Sequence, residues 1–306
     1  MLSRCLILKQ DLCYINAQYE NWSDIYKLMI KPYFSVIIPT LNEEKYLPKI
    51  LKALAGQTYR DFEVILADGQ SKDKTLIVFK KFQKYFPESS VIISKKANVG
   101  HQRNLGGKSA KGIYLIFLDA DVDINHTFLE EIHLASIKQG FKLATTWIIP
   151  DSNNPIDKTM LIMGNLGQEL SKVINKPFAG GYNTIIRRDI FERLKGYRED
   201  MLINEDQDLA VRAFKNKIET IILQEPKVTF SLRRFRSEGK LEVLRKYAKS
   251  IIHFYLKGPI THELFDYRMG GHVHRKPQKK SDLTKFKTYL KAMERLEEKI
   301  IALLSD

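Results

Sequence analysis

Ile113-Tyr114-Leu115-Ile116-Phe117-Leu118-Asp119-Ala120-Asp121-Val122-Asp123 is the stretch whose reading decides the fold. Six apolar residues run unbroken and then stop at carboxylates. A run of this length reads as a strand buried on both faces, as in parallel sheets. A buried helix segment looks alike over so few residues, but Lys111-Gly112 before it and the acidic cluster after it favour the strand. Asp119 and Asp121 then stand at the strand's carboxyl end, where open α/β sheets keep their ligands. Two hard oxygen donors at that spacing suit Mg2+ or Mn2+, with a substrate diphosphate completing the shell. Taken alone, Asp-Ala-Asp-Val-Asp reads equally well as a solvated turn.

Working outward, the pattern repeats. Phe34-Ser35-Val36-Ile37-Ile38-Pro39 is a β-branched strand closed by proline, followed by Thr40-Leu41-Asn42-Glu43-Glu44. Leu47, Ile50, Leu51 and Leu54 then recur at helical spacing. A second strand, 62–68, ends at Asp68-Gly69, and 91–94 is a third. Asn98 to Gly106 leads through a helix into the strand at 113–118. Strand and helix in alternation predict parallel pairing with right-handed crossovers, so the loops at Pro39–Glu43, Asp68–Asp73 and Asp119–Asp121 gather on one edge. Downstream, 128–137 and 160–173 read as helices and 142–149 as a strand. A glycine-led turn at Gly180-Gly181 precedes a short strand, and 189–194 reads as a short helix. Glu205-Asp206-Gln207-Asp208 opens a further helix; part of that acidity is dipole complementarity at a helix start. Ser231 to Gly239 is a basic loop around Phe235, and apolar stripes at 241–255 and 283–303 mark two last helices.

The chain has 306 residues, 44% of them hydrophobic, enough for a sizeable core. Net charge is +14, and residues 227–306 hold 19 Lys and Arg against 9 Asp and Glu, +10 of it. Such a basic last quarter suits diphosphates or an anionic lipid surface. No nucleic-acid module appears, so nucleic acid is not an expected partner. Cys5 and Cys13 suggest no disulfide framework and fit a reducing cytoplasm. No run approaches a membrane span and no signal-peptide pattern opens the chain. Met29 precedes the first strong strand, and we expect 1–32 to be a dispensable extension, 33–240 the main domain and 241–306 a basic helical region.

Four blocks together resemble the family 2 glycosyltransferases, of GT-A fold. They are Val36 to Glu44, Asp68-Gly69 with Ser71 and Asp73, Leu118-Asp119-Ala120-Asp121, and Glu205-Asp206-Gln207-Asp208-Leu209. Gln102-Arg103-Asn104 and Arg233-Arg234-Phe235-Arg236 add to the likeness, which covers roughly 33–240. Gln102 stands where the family often has Ala, and no Trp follows Arg236, unlike a processive polymer synthase. The resemblance implies an α/β, Rossmann-like, mostly parallel sheet flanked by helices, with a C-terminal helical extension. It implies an inverting transfer of a sugar from a UDP- or GDP-type nucleoside diphosphate to an acceptor glycan or lipid-linked glycan.

By that resemblance Pro39, Thr40, Glu43 and Asp68 read the base, with Arg103 beside the base or phosphate. Asp121 holds the metal, with Asp119 on the ribose or metal side. Arg233, Arg234 or Arg236 contact the diphosphate. Asp206 is the general base, with Glu205 or Asp208 orienting it or the acceptor. Asn42 has an equal claim as a turn residue, and Asp206 as a helix-start carboxylate. Gly180 and Gly181 let the backbone approach the acceptor or are an ordinary turn. His272 is either a third metal ligand or structural. The basic helices after Gly239 lie on an anionic membrane surface or pack on the domain. Two other readings are a silent nucleotide-sugar-binding protein and a nucleotidyltransferase; the latter would want a glycine-rich, cationic first loop.

Overall fold

In the computed structural model the described residues are 32–173, 177 and 180–271. Met29, both cysteines, His272 and the helix expected at 283–303 lie outside them. The strands β1 (Phe34–Thr40), β2 (Phe62–Asp68) and β4 (Tyr114–Leu118) are buried at every residue. Both sheet faces are therefore covered, and these segments are unbroken in apolar character for that reason. Val36 and Ile38 face one core with Leu47, Ile50 and Leu51. Ile37, Leu115 and Phe117 face the other, with Phe191 and Leu209. Phe34, Phe62 and Phe117 are at most 1% exposed, and truncating any of them to Ala would cost about 3–5 kcal/mol.

With β3 (Glu88–Ile93), β5 (Asp123–Ile124), β6 (Leu143–Pro150), β7 (Asn183–Arg187) and β8 (Thr220–Phe230), the sheet runs β3-β2-β1-β4-β7-β6-β8-β5. The pairs β1·β2, β1·β4, β2·β3 and β6·β8 are parallel. The pairs β4·β7, β6·β7 and β5·β8 are antiparallel. Strand order reverses between β1 and β4, which makes a crevice outside their carboxyl ends. Register sets Thr40 beside Asp68 and Ile37 beside Phe117, so the loops after β1, β2 and β4 share that edge.

The helices are α1 (Leu47–Ala55), α2 (Thr75–Phe82), α3 (Val99–Ser109), α4 (Phe128–Gln139), α5 (Pro155–Val173), α6 (Arg188–Arg193), α7 (Glu205–Lys215), α8 (Arg233–Glu238) and α9 (Lys240–Lys257). α3 comes close to the sheet because Gly106 meets Ile37 of β1, where a Cβ would collide with that side chain. Three elements differ from the sequence expectation. The basic loop at 231–239 is in part the six-residue helix α8. β5, of two residues, has no counterpart among the expected strands. β8 was not foreseen: it pairs with β6 up to Leu223 and resumes at Val228, so Gln224-Glu225-Pro226-Lys227 bulges out of the ladder. Proline is tolerated at such a break and masks the strand in the sequence.

Candidate functional site

The loops after β1 and β2 are laced together by side chains. Asn42 takes a left-handed φ of 53°; its N–H donates to Ser71 Oγ at 2.8 Å, and its Oδ1 accepts from Lys72 N at 2.7 Å. Glu43 N–H donates to Thr75 Oγ1 at 2.8 Å. These bonds and the left-handed φ give Asn42 a structural role in the turn. Asp68 is fully buried. It accepts from Thr40 Oγ1 at 2.9 Å and from Ser71 N and Oγ at 2.8 and 2.6 Å. It braces the loops and is not among the residues lining the cleft.

That cleft, of about 1140 Å3, opens at the carboxyl edge of β1 and β4. Pro39, Thr40, Glu43, Asp119, Asp121 and Arg103 line one part. Gly180, Gly181, Glu205, Asp206 and Arg233 line the same space. Residues as far apart in sequence as Pro39 and Arg233 therefore converge.

Arg103, on α3, ties the two sides together. It is 2% exposed. Its Nη1 donates to Glu205 Oε1 at 2.6 Å, and its Nη2 donates to Asp119 Oδ1 at 2.9 Å and Gly181 O at 2.6 Å. Tyr197 lies under the guanidinium, 5.3 Å from ring centre to Cζ. Burial works against its charge, but Asp119 and Glu205 hold its pKa above the ordinary arginine value. Asn104 fastens the neighbouring loop through Tyr197 O and N, at 2.9 and 2.8 Å. The sequence named Arg103 as a base or phosphate neighbour; in the structure both ends of its fork are occupied by protein.

Asp206 follows Asn204, whose φ of 65° starts α7 in the left-handed region that Asn tolerates. Its Oδ1 accepts from Gln207 N at 2.7 Å. Burial first, then the negative charge of Glu205, pushes its pKa up to about 7, with Arg103 pulling the other way. A Cβ on Gly181 would stand 2.8 Å from Asp206 Oδ2. Gly181 thus leaves room for the carboxylate itself.

Across the cleft, Arg233 of α8 grips Glu43 with two hydrogen bonds, of 2.6 and 2.9 Å, and its Nε lies 2.7 Å from Asp121 Oδ2. Tyr46 supports it, 4.5 Å from ring centre to Cζ. Burial raises Glu43 to about 7 despite Arg233. Burial also raises Asp119 and Asp121, opposed by Arg103 and Arg233 respectively.

Besides Asp68, two more expected site residues fall elsewhere. Asp208 takes Arg212 Nε at 2.6 Å, and Arg212 also donates to Leu194 O and Gly196 O. Asp208 thus clamps α7 to the 194–196 turn. Arg236 makes a forked pair with Asp151, at 2.8 and 2.7 Å. Neither lines the cleft. The chain returns to the cleft at Gly271, whose N–H donates to Leu41 O at 3.1 Å; His272 is beyond the described residues. Sequence reasoning missed Tyr197 and Asn204 as supports. The Asn before Glu-Asp was the one available signal for the latter.

Asp121 and Asp119 offer hard oxygens that fit a divalent ion. Among the described residues no group of three or more His, Cys, Asp or Glu is placed to hold one. Asp119 Oδ1 and Asp121 Oδ2 are paired with Arg103 and Arg233, so these two carboxylates would supply only part of an ion's oxygen shell.

A sequence model of glycosyl transferase family 2 matches residues 35–195. The poly(ribitol-phosphate) beta-N-acetylglucosaminyltransferase TarS of Staphylococcus aureus is 37% identical over 101 residues, 32% of this chain and 18% of that protein. A Methanococcus voltae dolichyl N-acetyl-alpha-D-glucosaminyl phosphate 3-beta-D-2,3-diacetamido-2,3-dideoxy-beta-D-glucuronosyltransferase is 34% identical over 157 residues, 49% of this chain and 46% of that one. The chain spans less than half the length of these relatives. The crystal structure of TarS residues 1–349 with UDP-GlcNAc superposes with a TM-score of 0.54 at 22% identity, over 65% of this chain and 58% of that one. The Pyrobaculum calidifontis mannosyltransferase PcManGT, in complex with GDP-Man and Mn2+, gives 0.57 at 20% identity over 72% and 65%. At these identities the structures share the fold, the GT-A arrangement expected from the motifs.

Proposed function

The chain belongs to glycosyl transferase family 2, and from that premise we propose that it moves a sugar from a nucleoside diphosphate to an acceptor hydroxyl with inversion. One observation carries the reading: Asp119, Asp121 and Asp206, distant in sequence, line a single cleft.

The attacking hydroxyl must lose its proton as the glycosidic bond breaks. Asp206 takes that proton. A carboxylate with a pKa of about 7 is well matched to proton transfer near neutral pH. Glu205 raises that basicity and holds Arg103. The leaving diphosphate gains negative charge as an oxocarbenium-like transition state forms. Arg233 faces it with a half-buried guanidinium suited to bidentate phosphate contact. Asp121, with Asp119 beside it, would hold Mg2+ or Mn2+, which when bound supplies further positive charge there.

The far part of the cleft has a different character. Leu202, Ile251, Ile252 and Leu256 line it, and Leu256 is 79% exposed. Lys249 and Lys257 flank Leu256 in an adjoining groove. This suits a lipid-linked glycan acceptor presented at an anionic membrane surface. No helix among the described residues is long and apolar enough to cross a membrane.

The test is a panel of UDP- and GDP-sugars with Mn2+, followed by donor hydrolysis and thermal shift. At least one donor should bind and turn over, and Asp121→Ala should abolish the metal-dependent part of binding. Absence of binding by every donor would remove the proposal.

A further inference from the structure

The nucleotide end of the cleft holds a polar group that no step above uses. Gln102 is 4% exposed and lines the cleft. Its Nε2 donates to Thr40 O at 2.8 Å and Ala67 O at 2.7 Å, at the ends of β1 and β2. Only the NH2 side of an amide can donate to two carbonyls, so these bonds settle which way the carboxamide lies. Oε1 accepts from no described residue and is not sealed in the protein interior. Gly69 leaves the amide its space, since a Cβ there would lie 3.1–3.2 Å from its atoms. Leu41, Ala97 and Val99 line the same end of the cleft, an aliphatic slot suited to a flat ring.

Asp68, the carboxylate that the family resemblance assigns to the base, does not line the cleft. It is fully buried and engaged by Thr40 and Ser71. Gln102 Oε1 is a fixed side-chain acceptor near the ends of β1 and β2.

We propose that Gln102 reads the nucleobase, its Oε1 accepting the ring N–H of a keto base. Uracil N3–H and guanine or hypoxanthine N1–H supply that donor. Cytosine N3 and adenine N1 present a lone pair there, which would oppose Oε1. An acceptor pinned by two hydrogen bonds cannot turn its NH2 to the base without losing both, so the discrimination is built into the backbone of β1 and β2. The inference rests on the nucleotide-sugar reading above and adds the class of base to it.

Calorimetry on the wild-type chain with Mn2+, using UDP, CDP, N3-methyl-UDP, IDP and ADP, tests it. UDP or IDP should bind on the order of 10- to 100-fold tighter than its partner lacking the N–H, the range expected for one unmatched buried acceptor. N3-methylation should weaken UDP by a similar factor. Gln102→Met should level UDP and CDP. Equal wild-type affinity for UDP, CDP and N3-methyl-UDP, with IDP equal to ADP, would overturn the assignment and leave the nucleotide-sugar reading standing. The ligand comparisons do not depend on the variant's folding. Binding of none of the five would overturn both.

Discussion

Arg103 and Arg233 each hold two carboxylates in one cleft, and their surroundings differ. Arg103 lies on α3 within the span matched by the family model, 2% exposed, its fork closed by Asp119, Glu205 and a backbone carbonyl. Arg233 lies beyond that span on a six-residue helix, its side chain 14% exposed. Burial raises the pKa of its partner Glu43 to about 7 against the pull of Arg233. A guanidinium that is almost sealed and closed on all sides by protein is a structural tie; a more exposed one on a short helix is better placed to serve a ligand. On this view Arg103 sets the spacing between Asp119 and the Asp206 segment, and Arg233 would exchange Asp121 and Glu43 for phosphate oxygens in the proposed reaction.

Removing Arg103 should have the largest effect. Arg103→Ala leaves buried carboxylates uncompensated, which costs about 3–5 kcal/mol, read as a lower midpoint in denaturant together with loss of turnover. Arg103→Lys should rescue little, since one ammonium cannot replace the fork. Arg233→Ala should weaken nucleoside diphosphate binding by about 10- to 100-fold, the worth of a charge-assisted contact, with a smaller loss of stability than Arg103→Ala. An equal stability loss at both positions would break the distinction.

A pH profile sharpens it on the Asp206 side. The raised pKa means that the base form is lost as pH falls, so kcat/KM should rise through about 7 and level off above it. Below that the slope should approach tenfold per unit. A profile flat from pH 5 to 8 would contradict the assignment. The smallest effect is expected at Arg236, whose pair with Asp151 is half exposed on the arginine side. Arg236→Ala should change stability by no more than about 1 kcal/mol and leave nucleotide affinity unaltered.

What the chain discloses without coordinates follows its physics. β1, β2 and β4 are buried on both faces, so their apolar runs are plain in the sequence and their carboxyl ends follow from alternation with helices. β8 is hidden because Glu225-Pro226 interrupts it, and α8 because six residues carry no period. The acidic groups of the cleft are visible as Asp-x-Asp and Glu-Asp, since a strand end and a helix start bring adjacent residues together. Their partners are not: Arg103 meets Glu205 across 102 positions and Arg233 meets Glu43 across 190. Asp208 and Arg236 look equivalent to Asp206 and Arg233 in the sequence, yet helix geometry turns them onto Arg212 and Asp151. Local sequence identifies the charged groups, and tertiary packing decides which are left for a ligand.

In the proposed reaction Asp206 takes the acceptor's proton in the cleft that would hold the donor. Turnover and donor binding measured side by side for Asp206→Asn, at saturating Mn2+, test this most directly. We expect donor affinity within a few-fold of wild type and turnover reduced by about 10²–10⁴, the contribution of a positioned base. Turnover preserved in that variant would contradict the account.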